Sequence, residues 1–321
     1  MKLAVALLAA ASLLAGCAGG GESGAEPGAP RGAALVLDFT PNAVHSGVYA
    51  ARREGYYRER GIDLTIRQPG ESTDAPKLLA AGRADFAILD VHDLGIARER
   101  GIEIVGLMPI VQRPLAAIIA RADRGIASPR DLAGRTVGVT GLPSDEAVVD
   151  SEVSADGGEP ARVQRVTIGF NAISALAAGR VDAATGFWNA EAVALRRQGV
   201  PIQVFKVDRY GAPPYPELVL ATSSKTVEDD PDLVRAVLAA TTRGYALAVA
   251  HPERGLDDLL AEVPSLDRSE QQAQLDVLLP DLHPAPLDPA VLRAWARWDR
   301  EHGLLEHPLD VGEAFRLGLQ P

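Results

Sequence analysis

Two similar α/β lobes are what this 321-residue sequence predicts, on three observations. Apolar, β-branched runs alternate with helical stretches of about ten to fifteen residues, the pattern of βαβ units around a mainly parallel sheet. The alternation runs through the chain twice. The phrase AAGRADFAILD at 80–90 also returns as AAGRVDAATGF at 177–187, each copy reading as a helix end, a glycine, a basic-acidic turn and a buried strand. Two copies so far apart fit paired lobes; a solenoid would repeat many times with a period of about 20–50 residues.

The first series opens with the strand ALVLDFTP (34–41), stopped by Pro41. NAVHSGVYAARREGYYRERG (42–61) then sets Val44, Val48, Ala51 and Tyr56 near helical spacing before Gly61. IDLTIRQ (62–68) is a strand, and STDAPKLLAAG (72–82) a helix capped by Ser72 or Thr73. ADFAILD (84–90), HDLGIARERG (92–101) and IEIVGLM (102–108) follow as strand, helix and strand. The second series runs SPRDLAG (128–134, a helical turn), RTVGVTG (135–141, strand), SDEAVVDSEVSADGG (144–158, helix), RVQRVTI (162–168, strand) and NAISALAAG (171–179, helix). It continues with VDAATGF (181–187, strand), WNAEAVALRRQG (188–199, helix) and IQVFKV (202–207, strand). After LVLATS (218–223) the chain reads as helical, punctuated by Pro231, Pro252, Pro264, Pro280 and Pro289, and these helices are expected to return to the first lobe. The predicted organisation is a first lobe of residues 33–120 plus 220–321 and a second of 121–219, with crossings near 118–124 and 214–222.

The amino-terminal segment stands apart. MKLAVALLAAASLLAGC has a basic start at Lys2, an apolar run and small residues before Cys17, the grammar of a signal peptide over 1–17. A flexible Gly/Pro/Ser/Ala tether follows over 18–32. Leu14-Ala15-Gly16-Cys17 resembles a bacterial lipobox, which implies lipidation of Cys17, the chain's single cysteine. One cysteine excludes an internal disulfide framework and a cysteine-based zinc site. The six histidines, at 45, 92, 251, 283, 302 and 307, are too scattered for a local metal motif. With 47% hydrophobic and 23% charged residues the body is globular in composition, and a net charge of −11 without a basic run argues against nucleic acid as a partner.

Four segments in order carry a more specific resemblance: LDFTPNAVHSGVYAARREGYYRERGIDLTI, KLLAAGRADFAILD, GFWNAEAVALRRQGV and YGAPPYPELVLATS. Together they resemble the thiamine-pyrimidine-synthase-like group of periplasmic solute-binding proteins that serve ABC importers. The resemblance covers residues 34 to about 224. It implies a two-lobed periplasmic-binding-protein-like fold of type II, a ligand cleft between the lobes, no cofactor, and a permease and an ATPase as partners. The resemblance implies a monomeric receptor, lipid-anchored outside the cell membrane, taking a small heteroaromatic ligand such as a thiamine pyrimidine precursor. Another solute of the riboflavin or sulfonate kind, or a sensor lipoprotein on the same fold, are the other readings.

Ligands of open α/β sheets sit outside the carboxyl ends of the strands, where Asp90 and Phe187 fall. Asp38, Phe39, Asn42 and His45 lie in the first strand-to-helix loop, where Asn42 fits either a ligand contact or a helix cap. Asp90 and His92 follow the first echoed strand. Gly141 and Ser144 offer a loop and helix start in the second lobe, and Trp188, Asn189 and Glu191 follow the second echoed strand, Trp188 fitting ring stacking or interlobe packing. Tyr215 and Glu217 form an aromatic-acid pair in a segment stiffened by Pro213, Pro214 and Pro216. The group often carries Trp after the first-strand Asp, where this chain has Phe39, so half of a ring sandwich is altered.

The resemblance also reaches eukaryotic enzymes that make the thiamine pyrimidine with pyridoxal phosphate on a lysine and a cysteine-rich motif. This chain has Leu89 at the lysine position, Asp93 rather than His at the donor position, and no cysteine cluster. Without a lysine amine there is no Schiff base, and no phosphate loop, HExxH or nucleophile elbow occurs elsewhere. A binding protein, not an enzyme, is expected.

Overall fold

The computed structural model describes residues 30–69 and 75–319. The signal segment, Cys17, most of the tether and the caps Ser72 and Thr73 lie outside the described residues.

The chain forms two five-stranded sheets. The first holds β1 (Arg31–Val36), β2 (Ile62–Arg67), β3 (Phe86–Asp90) and β4 (Ile104–Pro109), with α1 (Ser46–Arg53), α2 (Ala75–Ala80) and α3 (Val91–Glu99) between them. The chain then crosses to β5 (Ala116–Arg121), β6 (Thr136–Val139), α4 (Pro143–Ala155), β7 (Gln164–Thr167), α5 (Ala172–Ala177), β8 (Ala183–Phe187), α6 (Glu191–Arg197) and β9 (Ile202–Lys206). It returns as β10 (Leu218–Ser223). The strand orders are β2-β1-β3-β10-β4 and β7-β6-β8-β5-β9, so each sheet takes one antiparallel strand from the segment next to a crossing. These are the two lobes of a periplasmic-binding-protein fold.

The order explains the echoed phrase. β3 and β8 hold the same place in their sheets, each preceded by a helix that stops at a glycine of positive φ, 64° at Gly82 and 65° at Gly179, the left-handed conformation glycine adopts at least cost. Three residues on, Asp85 Oδ2 accepts from the Ala34 amide at 2.7 Å and Asp182 Oδ2 from the Thr136 amide at 3.0 Å. The backbone N–H of each aspartate donates back to the same residue, at 3.0 Å to Ala34 and 2.9 Å to Thr136. The repeated Gly-Arg-x-Asp is therefore a clamp that sets a returning strand beside its neighbour.

One boundary differs from expectation. AAIIAR, which the sequence reading placed in the first lobe and at the crossing near 118–124, is β5 and pairs antiparallel with β8 and β9 in the second sheet. The crossings run over 110–115 and 207–217. The strand follows the crossing and joins the sheet of β6 to β9, so the boundary falls ahead of it, at 110–115.

The helices α7 (Ser224–Asp229), α8 (Pro231–Ala250), α9 (Pro252–Glu262), α10 (Arg268–Leu278), α11 (Pro289–Glu301) and α12 (Val311–Ala314) follow β10. Proline opens α8, α9 and α11 at a position whose N–H has no helical partner. Long and apolar, α8 packs on α1 so closely that a Cβ on Gly244 would lie 2.1 Å from the Gly47 carbonyl oxygen. Tyr245 covers Gly47 and donates to the Val44 carbonyl at 3.0 Å. The return to the first lobe is thus observed, except that two of the helices also reach the second lobe: α10 through Ser269, bonded to Arg197 of α6, and α11 through Trp298, whose indole nitrogen is 3.4 Å from Ser151 Oγ on α4.

Candidate functional site

A cleft of about 150 Å³ lies between the lobes at the carboxyl ends of the strands. After β1 it receives Asp38, Phe39 and Asn42; after β3, Asp90 and Asp93. The second lobe adds Ser144 and Asp145 after β6, Phe170 after β7, and Asn189 and Glu191 after β8. Seven of the expected site residues therefore meet here: Asp38, Phe39, Asn42, Asp90, Ser144, Asn189 and Glu191.

The first loop is built around an interior histidine. Asn42 caps the helical turn, its Oδ1 accepting from Val44 N–H at 2.9 Å, so it both caps and lines the cleft. Its own N–H donates to His45 Nδ1 at 3.1 Å. A backbone N–H can only donate, so the proton of neutral His45 sits on Nε2 and is given to Asp38 Oδ1 at 2.8 Å. Fully buried, His45 orients Asp38 and does not itself line the cleft.

In the second lobe Glu191 Oε2 accepts from the Phe187 amide at 2.8 Å, and Asp145 Oδ2 accepts from both the amide and the hydroxyl of Thr140 at 2.5 Å. Burial pushes both carboxyls upward in pKa. Asn189 is 1% exposed, and neither its Oδ1 nor its Nδ2 has a hydrogen-bond partner among the described residues. Such an amide costs free energy until a ligand satisfies it. Phe170, 56% exposed, stands 5.5 Å centroid to centroid from Phe39 of the other lobe, the planes tilted by 47°.

Five carboxylates (Asp38, Asp90, Asp93, Asp145, Glu191) line this cleft, and among its described lining residues there is no Lys, Arg or His. Asp90 and Asp93 are each pushed up to about 7, by burial first, partly offset by His92 and reinforced by neighbouring carboxylates.

Six expected residues lie elsewhere. His92 is buried behind the floor, its Nδ1 2.8 Å from Asp299 Oδ1 and its Nε2 3.1 Å from the Tyr215 hydroxyl. Burial lowers its pKa, but Asp299, Asp90 and Glu217 more than offset this and raise it to about 10. Tyr215 and Glu217, both buried, belong to the same layer. Gly141, at φ 97°, makes the turn before α4 and stays outside the cleft lining. Trp188, 4% exposed, donates its indole N–H to the Pro114 carbonyl at 2.9 Å and lies under the Lys206 ammonium, 3.4 Å from the ring centroid. It packs at the junction of the lobes and is not among the residues lining the cleft. His92, Asp90 and Glu217 approach within 4.8 Å of one another, but both His92 nitrogens are engaged, which leaves no imidazole lone pair free for a metal.

Phe170 and Asp145 were not singled out from the sequence, and Asp93 only as the residue at the donor-histidine position of the related enzymes. Phe170 had a signal, an aromatic in the loop after a strand, between Gly169 and Asn171. The two aspartates sit in first helical turns, where an acidic residue reads equally well as a dipole partner.

Comparison with known proteins gives a consistent family. Residues 42–255 match the family model described as NMT1/THI5 like. The chain is 32% identical to a formylaminopyrimidine-binding protein of Halalkalibacterium halodurans, over 88% of each chain. It is 26% identical to a 4-amino-5-hydroxymethyl-2-methylpyrimidine phosphate synthase of Legionella pneumophila, over 72% of this chain and 74% of that one. Among solved structures, the periplasmic aliphatic sulphonate binding protein of Escherichia coli superposes with a TM-score of 0.75 at 16% identity, over 91% of this chain and 94% of that one.

Proposed function

The chain belongs to the NMT1/THI5-like family, and we propose that it is the solute-binding protein of an ABC importer, capturing a small flat heterocycle of the formylaminopyrimidine kind. The observation that carries this reading is the cleft itself, acidic from both lobes and without a cation among its described lining residues. Amino and ring N–H donors gain about 1.5–3 kcal/mol for each hydrogen bond to an ionised carboxylate. A sulfonate in the same place finds carboxyl groups and no cation to pair with among the described lining residues, so likeness of fold to a sulfonate binder does not extend to the ligand. Phe39 and Phe170 supply aromatic faces from opposite lobes, worth roughly 0.5–1.5 kcal/mol in a ring contact.

Leu89, where the resemblance expects the cofactor lysine, lines the cleft, and no described lining residue offers an amine for a Schiff base. This favours binding and release over pyrimidine synthesis, without cofactor. The protein would work as a monomer outside the cell membrane, held by lipid at Cys17, and deliver its solute to a permease and ATPase. Cys17→Ser should leave it unprocessed or soluble; a processed, membrane-bound variant contradicts the anchor. Mass spectrometry of ligand released from protein purified without added substrate tests the solute. An aminopyrimidine or similar donor-bearing heterocycle is expected, and an alkanesulfonate overturns the reading.

A further inference from the structure

We infer that the cleft takes its solute as a cation, with Asp93 as the carboxylate that meets the charge, and so prefers a heterocycle bearing a protonated amine to the same ring with that amine acylated. The inference rests on the heterocycle reading above and narrows it to one charge state. Its first support is Asp93 itself, which stands at the third position of α3 and lines the cleft with the cap residue Asp90. An acid at this position commonly turns back to the amide of the cap residue. Asp131 does so in the turn Pro129–Leu132, its Oδ2 accepting from the amides of Ala127 and Ser128 at 2.9 and 3.1 Å. Asp93 does not. The cap of α3 is made by the Asp90 side chain alone, to His92 N–H, and no N–H, O–H or cationic group among the described residues is bonded to the Asp93 carboxyl.

The second support is independent of any acid. Asn189, from the other lobe, is 1% exposed, lines the cleft, and has neither its Oδ1 nor its Nδ2 bonded among the described residues. A buried amide with both ends open is matched by a ring edge that offers a donor beside an acceptor, as an amino group next to a ring nitrogen does. One edge of the ring then belongs to the second lobe, and a substituent is free for Asp93 in the first. Charge decides what that substituent is. The other four acids of the cleft are held by neutral groups: Asp90, Asp145 and Glu191 by N–H and O–H donors, and Asp38 by neutral His45. His92 behind the floor is matched by Asp299, and Arg100 is the C-cap at the opposite end of α3. Burial, reinforced by Asp90 and opposed by His92 and Arg100, holds Asp93 up at about 7. A neutral solute leaves this carboxyl ionised without a partner or protonated, and either state forgoes a charge-assisted bond. An ammonium supplies that bond, and because burial has already taken the carboxyl largely out of water, only the ammonium has hydration to lose.

The test is calorimetric titration at pH 7 with two pyrimidines that differ at one nitrogen: an aminopyrimidine with an aminomethyl arm, a cation at that pH, and the same molecule with the arm formylated, which is neutral. Wild type should bind the amine at least about tenfold more tightly, the effect of one charge-assisted hydrogen bond. In Asp93→Asn the two affinities should converge to within about threefold, through loss of amine binding while the formyl compound still binds. Wild-type affinities that are equal, or that favour the formyl compound, overturn the cation inference and leave the heterocycle reading standing. Binding of neither compound overturns both. A preference that survives undiminished in Asp93→Asn, with a lowered melting temperature, assigns Asp93 to the helix dipole and overturns its role. The wild-type comparison needs no variant, and if Asp93→Asn does not fold, Asp93→Ser takes its place with the same convergence expected.

Discussion

In the first lobe β3 runs directly into α3, with Asp90 serving as last strand residue, helix cap and cleft wall: its Oδ1 accepts from His92 N–H at 2.7 Å. In the second lobe the equivalent β8 is followed by Trp188, Asn189 and Ala190 before α6 begins at Glu191. The frames are alike, yet the carboxylates they present are held differently. Asp90 is backed by a buried layer of His92, Tyr215, Glu217 and Asp299, with Trp295 and Trp298 around it. Glu191 and Asp145 are held mainly by N–H and hydroxyl groups of their own lobe. The difference teaches that strand ends decide where chemistry occurs, whereas the loop after the strand and the layer behind it decide its charge.

The largest effect should come from the packing residue with no counterpart in the first lobe. Trp188→Ala removes a buried indole from the junction and should cost about 3–5 kcal/mol of stability, read by thermal or denaturant unfolding. A loss of ligand affinity with an unchanged melt would instead return Trp188 to the cleft.

The layer behind Asp90 makes a second asymmetry testable through pH. The folded pKa of His92 is raised from 6.5 to about 10, so its contribution to stability is fully present below about 6.5 and lost as pH rises through 10. Asp90 and Asp93, raised from 3.8 to about 7, favour the folded state at low pH and cease to do so as pH rises through 7. The melting temperature should therefore fall from pH 5 to 10, and in His92→Gln the part above pH 7 should flatten. An unchanged alkaline slope in the variant removes the His92–Asp299 pair as its source.

The shared frame predicts equal effects. Asp85→Ala and Asp182→Ala each remove a carboxylate from one strand amide and should cost about 1.5–3 kcal/mol, close to one another. Unfolding free energies that differ by much more than 1 kcal/mol would show that the echoed clamp bears unequal load in the two lobes.

Much of this frame was legible because its determinants are local. A glycine that ends a helix and an aspartate three residues later fall within one short phrase, so the phrase could be read twice and the lobes inferred from it, although the strand each aspartate holds lies far off in the chain. AAIIAR was misassigned for the opposite reason: its partners β8 and β9 come later in the chain, and nothing in the run itself says which sheet receives it. The site was legible as strand ends and not as side chains. Asp90, Asn189 and Glu191 follow from position after a strand, whereas the burial of Trp188 depends on Pro114 and that of His92 on Asp299. Phe170 stands alone in a loop, without the periodicity that flags a helix face or strand.

The measurement that bears most directly on the acidic, donor-seeking cleft is calorimetric titration with formylaminopyrimidine and, separately, with an alkanesulfonate, on wild type and Asn189→Ala. The pyrimidine should bind and the sulfonate should not. Asn189→Ala should weaken the pyrimidine about five- to 150-fold, the loss of one hydrogen bond worth about 1–3 kcal/mol, while the ligand-free melting temperature holds or rises because an unpartnered buried amide is gone. Tight sulfonate binding with no response to the pyrimidine would contradict the account.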